Sequence, residues 1–150
     1  MHIIPVIDLL HGQAVHARAG QRDTYKPLQS QLTHSSEPLS VVSAYLSLYP
    51  FETIYIADLQ SIAGDGDHRE ILNTICQQFP QLEIWLDAGC STPELCALTG
   101  EHCVPVFGSE SISANRTLTR NLADFDDPVL SLDFRHDTLL NSHVVLDSAA

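Results

Sequence analysis

Five short apolar runs alternate with helix-like stretches along these 150 residues, and four of the runs close on an aspartate. That alternation predicts an α/β fold with a parallel sheet, because buried parallel strands read as unbroken apolar runs joined by helical crossovers. A doubly wound nucleotide-binding sheet would carry a GxGxxG turn or a P-loop, and the sequence has neither. Aspartates at strand C-termini suit a (β/α)8 barrel instead, since a barrel's ligands meet that end of its strands. A complete barrel needs about 250 residues. The expected architecture is therefore a single domain over residues 1–150, the N-terminal portion of a barrel with about four βα units and a fifth strand.

Strands are expected at residues 3–8, 53–58, 82–87, 104–107 and 129–133. After Ser35 and Ser36, the spacing of Leu39, Val42, Leu46 and Tyr49 predicts a helix that Pro50 stops. From Asp67, the positions of Ile71, Ile75 and Phe79 predict another, ended by Pro80. Thr92 and Pro93 read as a cap and first position of a short helix through Leu98. A polar helix is expected from about Ser113 to Leu122, and residues 143–146 are compatible with a short extra strand. In such an open wall, strands one and five would each lack a neighbour on one side, leaving Val6 and Leu132 exposed.

A net charge of −12, with only seven Lys plus Arg, argues against nucleic-acid or anionic-membrane partners. It leaves room for a small anionic metabolite held by amide N–H groups and one or two cations. No apolar run approaches the length of a membrane span, and the N-terminus lacks the pattern of a signal peptide, so a cytoplasmic location is expected. Cys90, Cys96, His102 and Cys103 lie close in sequence but match no zinc spacing, and Cys76 falls on an apolar helix face. The stretch Gly64–Asp67 lacks the spaced ligands of a calcium loop and reads as a turn. No metal or cofactor is expected.

Asp8 and Asp133 end the first and fifth runs and read as an acid/base pair, since proton transfer needs two carboxyls in unlike surroundings. Asp58 and Asp87 stand at equivalent places, where a carboxylate either faces substrate or caps the next helix. Four carboxylates around one opening would repel an anion, so Arg18, Arg22 and Lys26 in the first loop are candidates for compensation. His11 either lines the mouth or is solvated.

Ile4-Pro5-Val6-Ile7-Asp8-Leu9 with Gly12 and Val15 resembles the first strand of the HisA/HisF histidine-biosynthesis barrels. Ile56-Ala57-Asp58-Leu59, Phe107-Gly108-Ser109 and Ser131-Leu132-Asp133-Phe134-Arg135 resemble strands two, four and five of that family. The loop from Val15 to Pro27 looks most like the HisA/HisF-related proteins of methanogens and methylotrophs. The resemblance implies a barrel of the ribulose-phosphate-binding type and an aldose–ketose (Amadori-type) isomerase, converting an aminoaldose phosphate without cofactor. It carries the two catalytic aspartates onto Asp8 and Asp133. It makes Gly89, Gly108 and Ser109 phosphate-turn candidates and Asp58 a substrate contact, beside Arg22 and Lys26. Two departures stand out: the glycine-rich turn after strand three is Asp87-Ala88-Gly89-Cys90-Ser91, and His16 replaces a loop-one arginine. They favour an alternative, a diverged barrel acting in one-carbon (methanopterin-type) cofactor synthesis or as a non-catalytic binding subunit.

Overall fold

Each parallel strand of the sheet lies beside the one that precedes it in the wall, which is how a barrel wall grows. The structure, a computed structural model, describes residues 2–18, 20–89, 103–109, 128–135 and 138–140. Parallel strands β1 (Val6–Leu10), β4 (Thr53–Asp58), β5 (Glu83–Asp87), β6 (Cys103–Gly108) and β7 (Val129–Ser131) follow one another across it. Antiparallel β2 (Gln13–His16) and β3 (Lys26–Pro27) extend it beyond β1. A separate hairpin, β8 (Phe134–Arg135) and β9 (Thr138–Leu139), follows β7.

Helices α1 (Pro38–Leu48) and α3 (Arg69–Gln78) cover one face of this sheet. Val41, Val42, Leu72 and Ile75 from the helices pack on Ile7, Leu9, Ile54, Ile56, Ile84, Leu86 and Phe107 from the strands, all essentially inaccessible. Burial of such side chains contributes about 1.5–3 kcal/mol each. Strand order without reversal and, among the described residues, helices on one side set this α/β sheet apart from a doubly wound one.

Local chemistry explains the element ends. Both oxygens of Glu37 cap α1, accepting from the backbone N–H groups of Leu39 (3.1 Å) and Ser40 (2.6 Å). Ser35, the expected start, accepts instead from the N–H of Glu37. Pro38 fills the first helical position, where a missing N–H costs nothing. A short helix not foreseen from periodicity, α2 (Leu59–Ala63), follows β4 directly and ends on Gly64 in the left-handed region.

Strand one differs from expectation. It runs to Leu10, and Asp8 sits mid-strand, because the chain doubles back at His11 and Gly12, both at positive φ, to pair β2 against β1. Two residues at positive φ make the tight turn that matches strand twist. Consequently β1 has neighbours on both sides, β2 and β4, contrary to the expected bare edge. Below the β2 pairing, the Tyr45 hydroxyl donates to the carbonyl of Val6 (3.3 Å). Among the described residues β7 pairs only with β6, and Val6 and Leu132 are 53% and 40% exposed. No helix among the described residues is long and apolar enough to cross a membrane. The helices expected at 92–98 and 113–122 and the strand at 143–146 lie outside the described residues.

Candidate functional site

Residues paired across a parallel sheet point the same way, so register alone builds the face opposite the helices. Asp8 pairs with Ala57 and Ala57 with Asp87, which sets two carboxylates on either side of a methyl group in one row. The row beneath is Val6, Tyr55, Trp85 and Val104. Tyr55 rises from it to donate its hydroxyl to Asp87 Oδ2 at 3.1 Å. The same hydroxyl feels Asp133 and the Ser131 side chain, which brings strand five to this face. Burial first, and then the Asp87 charge and hydrogen bond, hold the phenol protonated far above its usual range.

The three carboxyls of this face live differently. Asp8 is half-buried, and among the described residues no donor reaches its carboxylate. Burial pushes its pKa up, and the nearby His16 opposes that only in part. Asp87 is held from two sides, by Tyr55 and by the backbone N–H of Gly89 on Oδ1 (3.1 Å). Asp133 lies two residues past β7, gripped by hydroxyls: Ser109 Oγ donates to Oδ2 (3.2 Å) and Ser131 Oγ to Oδ1 (3.3 Å). The Asp133 N–H returns a bond to Ser109 Oγ at 2.8 Å, and its carbonyl accepts from Leu140.

Asp58 does not join them. Its neighbour in register is Leu9, on the helix-covered face, and it is 1% exposed. Its Oδ1 caps α2 through the N–H of Ser61 (3.0 Å), and Oδ2 accepts from the N–H of His68 (2.8 Å). The His68 Nδ1–H also donates to Asp58 Oδ1 (2.8 Å). Because Gly12 N–H donates to His68 Nε2 (2.9 Å), the ring is the neutral tautomer with its proton on Nδ1. Strand parity is why Asp58 misses the mouth: it shares a side with Ile54 and Ile56. Of the two roles expected at this position, facing substrate or capping the next helix, the structure shows the cap.

The glycine and serine candidates are likewise engaged in the fold. Gly89 has φ +68°, and a Cβ there would stand 3.0 Å from the backbone of Ile62. Its N–H already serves Asp87, so the turn after β5 holds its own anion. Gly108 pairs with Ser131 and is buried, and Ser109 is wholly buried behind Asp133. In loop one, Arg22 lines a cavity of about 420 Å³ with His11, Tyr25 and Gln60. Lys26 is exposed in β3, opposite His16. A smaller cavity, about 250 Å³, opens beside Asp8, His16 and Tyr45. Lys26 lines neither of these two cavities. Tyr55 and Ser131 are the site residues that sequence reasoning missed.

The histidine biosynthesis protein family matches residues 2–149 of the chain. An uncharacterized protein of Methanocaldococcus jannaschii is 36% identical over 141 residues. That match covers 94% of this chain and 60% of the relative, so the chain spans about three-fifths of the length of the relative it matches.

Two outcomes follow from the unlike carboxyls. Replacing Asp58 with Ala strands the His68 ring and two backbone donors, and urea unfolding should show a loss of about 3 kcal/mol. For Asp8, burial raises the folded pKa above the ordinary 3.8, so protonation favours the folded chain. The stabilising protonated form is present at low pH and lost as pH rises through the raised value. Asp8→Asn, a neutral isostere, should therefore raise the melting temperature at pH 7, and the gain should vanish by about pH 3. An equal gain at both pH values would contradict the assignment.

Proposed function

The chain belongs to the histidine biosynthesis protein family of HisA/HisF barrels, and from that premise we propose that it builds the N-terminal wall of a (β/α)8 barrel acting as an aldose–ketose isomerase. The substrate in this reading is a phosphorylated sugar-amine. The observation that carries it is the pair Asp8 and Asp133: the first desolvated with no donor among the described residues, the second gripped by two serine hydroxyls. An Amadori-type rearrangement needs one carboxyl to give a proton to the ring oxygen and another to take one from the adjacent carbon. Two carboxyls held in unlike surroundings are suited to that division. Asp87, tied to Tyr55 and Gly89, is the fixed negative charge of the face.

A second reading rests on the turn after β5. With Asp87 occupying the Gly89 N–H, that donor is already engaged, and the carboxylate beside it repels a phosphate. This favours a diverged family member with another substrate, in one-carbon cofactor synthesis or as a binding subunit. In the isomerase reading the anion is met from loop one, where Arg22 and Lys26 compensate the acidic face.

Expression in a bacterium lacking the histidine-pathway isomerase separates the two. Growth without histidine supports the narrow reading; no growth, with another metabolite co-purifying and identified by mass spectrometry, supports the second. If the isomerase reading holds, Asp8→Asn and Asp133→Asn should each slow turnover of the aminoaldose phosphate by about 10²–10⁴-fold while KM moves little. Replacing Arg22 and Lys26 together with Ala should weaken binding of that substrate by about 2–4 kcal/mol in calorimetry. Unchanged affinity would move the anion site off loop one.

A further inference from the structure

We propose that Cys76 and Cys103 form a reversible disulfide, a thiol-modification site remote from the Asp8 face. Their sulfurs stand 3.7 Å apart although the residues are 27 positions apart in sequence. Only the fold brings them together: Cys76 follows the fully buried Ile75 on α3, and Cys103 opens β6 in register with Ile84. Ile75 and Ile84 have no accessible surface, so helix and strand hold the two thiols against the same core. Both cysteines are thiols of intermediate exposure. A small oxidant reaches them, and neither needs to leave the core for the sulfurs to meet. Closing van der Waals contact to a bond of about 2.05 Å requires side-chain rotation within two packed elements.

The electron balance is that of thiol–disulfide exchange with a low-molecular-weight disulfide. One cysteine thiolate attacks the small disulfide, forming a mixed disulfide and releasing one small thiolate. The second cysteine thiolate attacks the protein-side sulfur, forming the Cys76–Cys103 bond and releasing the other. Two cysteines are oxidised, one small disulfide is reduced to two thiols, and the cysteine protons leave with them. The bond would tether the start of β6 to α3 around β5, so it closes a loop containing Asp87 without touching it.

The sequence makes the test clean. Cleavage after Glu70, Glu83, Glu94, Glu101 and Glu110 places Cys76, Cys90, Cys96 and Cys103 on four separate peptides. The whole chain is incubated with oxidised glutathione, its remaining thiols are alkylated under denaturing conditions, and the digest is weighed. The expected product joins residues 71–83 to 102–110 at a mass lower than their sum by about two hydrogens, and dithiothreitol reverses it. The oxidised chain should also melt higher than the reduced one, a difference that Cys76→Ser removes. Recovery of Cys76 and Cys103 alkylated, glutathionylated or bridged only to Cys90 or Cys96 would overturn the proposal.

Discussion

One buried carboxylate ties the mouth of this wall together. Asp58 ends β4, caps α2, receives the N–H and ring proton of His68 at the start of α3, and through His68 holds Gly12 at the turn of the β1–β2 hairpin. A charge this deep is tolerated only because every oxygen is hydrogen-bonded. Directly and through His68, it joins residues 58–68 to the distant Gly12, so these loops above the sheet are positioned by a polar joint while the apolar core positions the sheet itself. The hairpin that leads into loop one is thereby fixed at its turn.

That arrangement separates support from chemistry among residues of one type. Asp58 is fully satisfied and faces the helices; Asp87 is satisfied and faces the opposite side; Asp133 is held by hydroxyls; Asp8 has burial without a donor among the described residues. The same carboxyl group is thus offered in graded electrostatic settings across a few strands. Ala57 stands between Asp8 and Asp87 in the row above Tyr55, whose hydroxyl donates to the carboxylate of strand three and feels the charge of that of strand five.

Much of the sheet was legible in the sequence because buried parallel strands are written as apolar runs. Residues 53–58 form a strand as expected, 82–87 nearly so, and Pro50 and Pro80 follow α1 and α3 closely. What escaped has physical reasons. A five-residue helix such as α2 is too short to show periodicity, and the β1–β2 turn uses His-Gly, where Asn-Gly would have been the familiar signal. Strands apolar on both faces hide which side a terminal aspartate takes. Parity would have settled it: Asp58 is in step with Ile54 and Ile56, whereas Asp8 and Asp87 are out of step with Ile7 and with Ile84 and Leu86. The reach of Tyr55 to Asp87 depends on cross-strand register, which no single run contains.

The unreversed strand order also has a meaning in time. Each parallel strand docks on a surface completed a few tens of residues earlier in the chain, so no strand must wait for a later one before it finds an edge. Synthesis from the N-terminus presents the strands in the order in which they pair. The hairpin of β2 and β3 covers the outer side of β1 before β4 arrives on the inner side. Growth of the wall is thereby given a direction, one open edge at a time.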